Sequence, residues 1–174
     1  MKKSSFLKTI CIVFIFCAMT AIASLAQTFT TVATFGSTGG SEPMAGLLQA
    51  TDGNLYGTTE VGGAQPNSLQ GTVFRVTPTG TLTTLHIFSG QEGRHPEAGL
   101  VQAANGNFYG TTHDKQSGSG VFGTVFKMTL SGAVTTLHIF DGTDGCDPSN
   151  GALVQATNGN LYGTTEACGA VRWV

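Results

Sequence analysis

A hexapeptide recurs three times at a fixed interval, and this repeat constrains the fold more than any other feature of the chain. Asn54-Leu55-Tyr56-Gly57-Thr58-Thr59 returns as Asn107-Phe108-Tyr109-Gly110-Thr111-Thr112 and again as Asn160-Leu161-Tyr162-Gly163-Thr164-Thr165, at intervals of 53 residues. Two further motifs share nearly the same period. Gly71-Thr72-Val73-Phe74 returns as Gly123-Thr124-Val125-Phe126, and Thr83-Thr84-Leu85-His86-Ile87-Phe88 as Thr135-Thr136-Leu137-His138-Ile139-Phe140, each after 52 residues. A weaker echo, Thr30-Thr31-Val32-Ala33-Thr34-Phe35, precedes the first copy by 53 residues. A period near 50 is the signature of a solenoid or a propeller, where each unit covers its apolar faces by stacking on neighbours.

Each repeat reads as four short strands. The first covers Leu47 to Ala50, Leu100 to Ala103 and Leu153 to Ala156. Asp52-Gly53, Asn105-Gly106 and Asn158-Gly159 then supply the dipeptides of a two-residue type I′ hairpin turn. The second strand holds the hexapeptide, with Tyr56, Tyr109 and Tyr162 as packing residues. A longer loop leads to the third strand, Thr124 to Thr129 in the middle copy. Pro78-Thr79-Gly80 or Leu130-Ser131-Gly132 makes a second turn with glycine at the left-handed position. The fourth strand, Val134 to Phe140, follows. In its first copy, Leu82, Thr84, His86 and Phe88 fall on one face, Leu85 and Ile87 on the other. Apolar groups on both faces suit sheets covered on both sides. The expected fold is all-β: repeated four-stranded antiparallel meanders forming an open partial β-propeller of about two and a half blades.

Composition removes other classes. Hydrophobic residues make up 40% of the 174 and charged residues 10%. Three of the eight Lys/Arg lie in the first 26 residues, with no acid and no glycine, so the remainder carries 5 basic and 10 acidic side chains and all 25 glycines. That acidic balance offers no basic patch for nucleic acid. The period is not that of a coiled coil, and aromatic and β-branched residues are too plentiful for a disordered tail.

The N-terminus has the pattern of an export signal. Lys2, Lys3 and Lys8 form a basic region, residues 10–26 are nearly all apolar, and Ser24-Leu25-Ala26 places small residues before Gln27. Residues 1–26 are therefore expected to be removed, leaving no membrane segment, with the protein secreted, periplasmic or on the cell surface. Two cysteines then remain, Cys146 and Cys168. Export permits a disulfide, and both flank the hairpin turning at Asn158-Gly159, near its open end.

The pattern Gly-Leu-x-Gln-Ala-x-(Asp/Asn)-Gly-Asn-(Leu/Phe)-Tyr-Gly-Thr-Thr, then Gly-Thr-Val-Phe-(Lys/Arg), then Thr-Thr-Leu-His-x-Phe, resembles the GloVer repeat of secreted bacterial choice-of-anchor tandem-repeat proteins. The likeness covers residues 28–166. Gly62-Gly63 after the second strand is also similar to kelch blades, without the kelch tryptophan. The resemblance implies an exported, propeller-like protein and no known reaction, so no catalytic residue is carried over. The repeats divide as 28–88, 89–140 and 141–166. The pattern stops after Glu166, and residues 167–174 read as the tail of a truncated product. The strand count is eleven: one leading fourth-type strand at Thr28 to Phe35, two sets of four, and two. Closed propellers use roughly four to eight blades.

Candidate site residues are few. Asp141, Asp144 and Asp147 stand at spacing three in a glycine-rich loop, the composition of a calcium loop. The previous copy has only Glu92 there, so turn chemistry is the expected role and no cofactor is expected. His86 and His138 recur in the fourth strand with no cysteine or acid repeating at ligand spacing, which reads as a structural histidine bonded within the sheet. Glu60, His113 and Glu166 share the position just after Thr-Thr. Facing the axis, they would contact a ligand; otherwise they are solvated loop residues. No nucleophile elbow, P-loop, zinc spacing or dinucleotide fingerprint is present. The expected function is a non-catalytic exported scaffold binding a glycan or cell-surface protein. The alternative is a glycan-acting hydrolase or lyase on a propeller. Bare faces at both ends of the array predict self-association.

Overall fold

The computed structural model describes residues 28–36, 39–63, 70–90, 92–113, 122–149 and 151–168. The expected export signal and residues 169–174 of the tail lie outside them. The chain divides into two compact units, Met1–Thr31 and Val32–Val174. Of the first, residues 28–31 are described and form no strand.

Among its described residues the second unit holds ten strands and no helix. The first blade is β1 (Leu48–Gln49), β2 (Leu55–Thr59), β3 (Thr72–Val76) and β4 (Leu82–Ile87). The second is β5 (Val101–Gln102), β6 (Phe108–Thr112), β7 (Thr124–Met128) and β8 (Val134–Ile139). A third unit contributes β9 (Val154–Gln155) and β10 (Leu161–Tyr162). Both blades are antiparallel meanders in simple sequence order, and β9 pairs with β10. This is the expected all-β architecture of stacked four-stranded meanders, an open partial propeller.

The eleventh strand does not form. A fourth-type strand pairs with a third-type strand, and β3 and β7 already hold β4 and β8. The leading segment still occupies the place of a fourth strand. Phe35 meets Phe74 edge-on at 4.9 Å, as Phe88 meets Phe126 at 5.1 Å. Val32 lies against Gly80 at one hairpin tip, as Leu85 lies against Gly132 at the next.

The first turn of each repeat differs from the expected type I′. That turn needs positive φ at both central residues. Only the glycines comply, at φ 82°, 81° and 85° for Gly53, Gly106 and Gly159. Ala50 donates its N–H to Asn54 and accepts from Gly53, which closes a three-residue loop of type I plus bulge. The residue before each glycine is bonded elsewhere. Tyr56 donates its hydroxyl to Asp52 at 2.8 Å, whereas Asn105 and Asn158 donate to Tyr109 and Tyr162 at 2.9 Å. Burial works to raise the Asp52 carboxyl but is outweighed by hydrogen bonds from Asn54 and Tyr56, so it sits below the usual value. Burial, then donation to Asp52, pushes the Tyr56 phenol up.

Two apolar clusters glue the units. Ala50, Tyr56, Val73 and Phe88 of the first blade meet Leu100, Phe108, Phe126 and Met128 of the second. The same four positions one repeat later, Ala103, Tyr109, Val125 and Phe140, meet Leu153 and Leu161. Each fully buried large side chain contributes about 1.5–3 kcal/mol. The glycine of Tyr-Gly-Thr-Thr makes room for a ring. A Cβ on Gly57 would lie 2.5 Å from Phe74 Cζ, and one on Gly110 would lie 2.6 Å from Phe126 Cζ.

The fourth strands break the expected alternation. Val73 faces His86 while Phe74 faces Thr84, which leaves Leu85 as an extra residue; Leu137 is its counterpart in β8. Such a bulge reorients the chain. Leu85 consequently packs against the same cluster as Phe88, where strict alternation put them on opposite faces.

A polar clip accompanies each apolar interface. Gln102 accepts from Thr51 N–H of the preceding blade at 2.8 Å and donates to Gly106 of its own turn at 3.1 Å. Gln155 repeats this with Ala104 at 2.8 Å and Gly159 at 2.9 Å. The invariant Gln of Gly-Leu-x-Gln-Ala thus ties one hairpin tip to the next.

Candidate functional site

Each first strand is preceded by a residue-Pro pair: Glu42-Pro43, His95-Pro96 and Asp147-Pro148. The residue before each proline is left-handed, with φ of 59°, 52° and 56°. Non-glycine residues seldom adopt this conformation, and it costs on the order of 1–3 kcal/mol. Its product is a carbonyl turned towards the second strand's end. Glu60, His113 and Glu166 donate their N–H groups to the carbonyls of Glu42, His95 and Asp147 at 3.0, 2.9 and 3.0 Å. The three residues that share the position after Thr-Thr are therefore fastened to the leading loops of their own units.

The side chains of Glu60 and His113 reach towards the next unit, while Glu166 bonds within its own. Glu60 Oε1 lies 3.7 Å from His95 Nδ1. His113 is 3% exposed; its Nδ1 bonds Glu97 at 2.9 Å, and its Nε2 lies 3.0 Å from Asp147 without hydrogen-bond alignment. Ser149 donates to Glu166 at 3.3 Å. A solvated loop role is thus wrong for His113, which is buried between two carboxylates. The row is a polar seam along which the units meet. His95, Glu97 and Ser149 were not singled out from the sequence, although the recurrence of a residue-Pro pair at the repeat period was a visible signal.

Beside the seam lies a cleft of about 540 Å³, where the leaders of the three first strands converge. Met44, Leu47, Ala98 and Leu100 supply apolar wall, with Gly99 and Gly151 leaving space; Glu97 and Ser149 are its polar groups. Glu97 links the cleft to buried His113 and, through it, to Asp147.

The three aspartates of the glycine-rich loop do not converge. Asp141 accepts from the N–H and hydroxyl of Thr143 at 2.8 and 2.7 Å, which hold its carboxyl below the usual range. Asp144 bonds His138 at 2.6 Å, and Asp147 serves the seam. Among the described residues no group of three or more His, Cys, Asp or Glu is placed to hold a metal ion. His138 and His86 do have acidic partners, contrary to the sequence reading: Asp144 and Glu92, six residues on and just beyond the strand. Each also meets its Phe neighbour edge-on.

Cys146 and Cys168 form a disulfide with Cα atoms 5.4 Å apart. It lies beside a backbone bridge between Cys146 and Ala167, the counterpart of the bridge between Ser41 and Val61 in the first blade.

Stacked β-meander blades, clipped by glutamine and joined by a polar seam beside a cleft, define a tandem-repeat protein of propeller type. The family model for the Gloeobacter/Verrucomicrobia repeat matches residues 18–172, and the chain belongs to that family. No curated protein matches it at a significant level. Among solved structures it is similar to one described as a candidate gluconolactonase, at 19% identity with a TM-score of 0.43, over 68% of this chain. The chain spans 40% of that protein's length.

Proposed function

We propose that the chain is an exported, non-catalytic repeat scaffold that binds a glycan or cell-surface partner in the cleft between its first-strand leaders. One observation carries this reading: the polar groups on the cleft wall are bonded inside the protein, Glu97 to His113 and Ser149 to Glu166. A wall whose polar groups are internally paired and otherwise apolar suits shape recognition better than proton transfer. Export rests on the basic and apolar N-terminus ending at Ala26. Secreted material is expected to begin at Gln27, and a mass retaining residues 1–26 would mean a membrane anchor instead.

Binding of the mature chain to a panel of immobilised polysaccharides and surface extracts tests the reading. Leu47 is 54% exposed and lines the cleft, so Leu47→Arg should abolish binding while leaving the melting temperature unchanged. Retained binding in Leu47→Arg would place the surface elsewhere.

A glycan-acting enzyme is the second reading, favoured by the Glu97–His113–Asp147 row, which joins a cleft carboxylate to a buried imidazole. Release of reducing ends from a bound polysaccharide, lost in Glu97→Gln, would establish it over the scaffold.

A further inference from the structure

The apolar face that each unit turns to the next does not tell one neighbour from another. The same four positions, Ala, Tyr, Val and Phe, serve both joints, and the glutamine clip closes at 2.8 Å in each. The polar seam differs. At the first joint a carboxylate of the leading unit, Glu60, lies 3.7 Å from an imidazole of the following one, His95. At the second joint the roles are exchanged: His113 supplies the imidazole, and Asp147 of the following unit supplies the carboxylate at 3.0 Å. The middle unit therefore gives the imidazole to both joints, and its two neighbours give the acids. The backbone beneath is the same throughout. Glu42, His95 and Asp147 share a left-handed φ of 59°, 52° and 56°. Their carbonyls accept from the N–H groups of Glu60, His113 and Glu166 at 3.0, 2.9 and 3.0 Å. Only the side chains change places.

We propose that the seam is a pairing code. The residue after Thr-Thr and the residue before Pro select which unit stacks on which, and a joint is matched when one is an imidazole and the other a carboxylate. An imidazole can offer an N–H to the acid opposite, whereas two carboxylates have no proton to share. Like charges directly opposite each other are destabilising. A unit of the first kind stacked on its own kind would set Glu60 against a second copy of Glu42. The first unit stacked on the third would set Glu60 against Asp147. The second unit stacked on its own kind would set His113 against a second copy of His95, with no carboxylate between them. The order acid, imidazole, acid avoids all three. Units with interchangeable apolar faces are otherwise prone to pair out of order or across chains, the characteristic misassembly of repeat proteins. Selection rests on the penalty in the wrong joint as much as on the attraction in the right one. Glu97 sharpens the second joint. It holds Nδ1 of His113 at 2.9 Å, which leaves Nε2 turned to Asp147. A carboxylate in place of His113 would meet two acids there.

Exchanging the pair at the first joint copies the arrangement of the second and provides the test. Urea unfolding of the mature chain is compared for wild type, His95→Glu, Glu60→His and the double variant. His95→Glu sets two acids opposite each other and should lower the folding equilibrium constant about fivefold; Glu60→His should lower it about twofold. The double variant restores a matched joint and should return to within about 1.5-fold of wild type. His95→Gln removes the imidazole without adding an acid, so its loss should be smaller than that of His95→Glu. A double variant as weak as the product of the two single losses overturns the proposal, because the seam would then be a contact without selectivity. Equal losses in His95→Gln and His95→Glu overturn it as well, because the mismatched joint would then carry no penalty.

Discussion

The two interfaces of the molecule are built from the same four positions on one side and differ on the other. Ala50, Tyr56, Val73 and Phe88 face a complete blade; Ala103, Tyr109, Val125 and Phe140 face two short strands. The glutamine clip is the same at both, 2.8 Å to the preceding backbone. The inner ends of the units therefore join equally well, while the outer ends do not. Leu85 and Leu137, in the same sequence context, differ in cover because of what stacks on them. Burial in a repeat protein is a property of the neighbour more than of the local sequence.

The sharpest way to break that comparison is to truncate one residue on each side. Phe126 is fully buried at the complete interface, so Phe126→Ala should cost about 3–5 kcal/mol in urea unfolding, and Leu161→Ala at the partial one about 2 kcal/mol. Equal losses would mean the two interfaces are energetically alike. Next in size is the disulfide. Cys146→Ser opens a link spanning 22 residues, worth about 3 kcal/mol. The loss should be confined to the third unit: amides of β9 and β10 exchange faster while those of β2 and β3 do not. Two titratable thiols in oxidised, denatured wild type would show that the link does not form.

The seam gives a smaller contrast. His113→Ala leaves two carboxylates facing a buried gap and should cost about 1–3 kcal/mol. His95→Ala, whose side chain is 18% exposed and 3.7 Å from its acid, should cost under about 1 kcal/mol. The smallest effect lies at the turns. Asp52→Asn copies the Asn105–Tyr109 arrangement and should change stability at neutral pH by no more than about 0.5 kcal/mol. Its signature is in acid. Because folding lowers the Asp52 carboxyl, its stabilisation is present above the unfolded value and is lost as pH falls through the folded one. Asp52→Asn should therefore flatten the acid limb of stability against pH, and an unaltered limb would remove Asp52 from the account.

Much of the fold was legible because the repeat samples the same physics three times. The hexapeptide strand is found at Phe108–Thr112, and Gly80 and Gly132 are left-handed as their turns required. What was illegible depended on partners distant in sequence. Thr28 to Phe35 reads as a strand by composition, but strand formation needs a ladder partner that β3 and β7 do not offer. The bulge at Leu85 and Leu137 comes from pairing register, which no local pattern announces. At the site, the shared position of Glu60, His113 and Glu166 was readable from the period. Their partners were not, because the seam joins Glu60 and His113 to the leading loop of the next unit and Glu166 to that of its own, and residue-Pro pairs look like ordinary loop punctuation.

The glutamine clip has a consequence for how such chains change length. Thr51 to Gln102 and Ala104 to Gln155 both span 51 residues. Within those spans the lengths drift. The long loop before Gly123 is one residue shorter than the loop before Gly71, and the leader from Pro148 to Gln155 is one residue longer than that from Pro96 to Gln102. The two changes cancel. The clip acts as a ruler: it tolerates editing anywhere between its marks as long as the marks stay put. Insertions and grafted segments in this scaffold belong in the loops before Gly71 and Gly123, where the ruler does not read them, and never between a clip glutamine and its own turn.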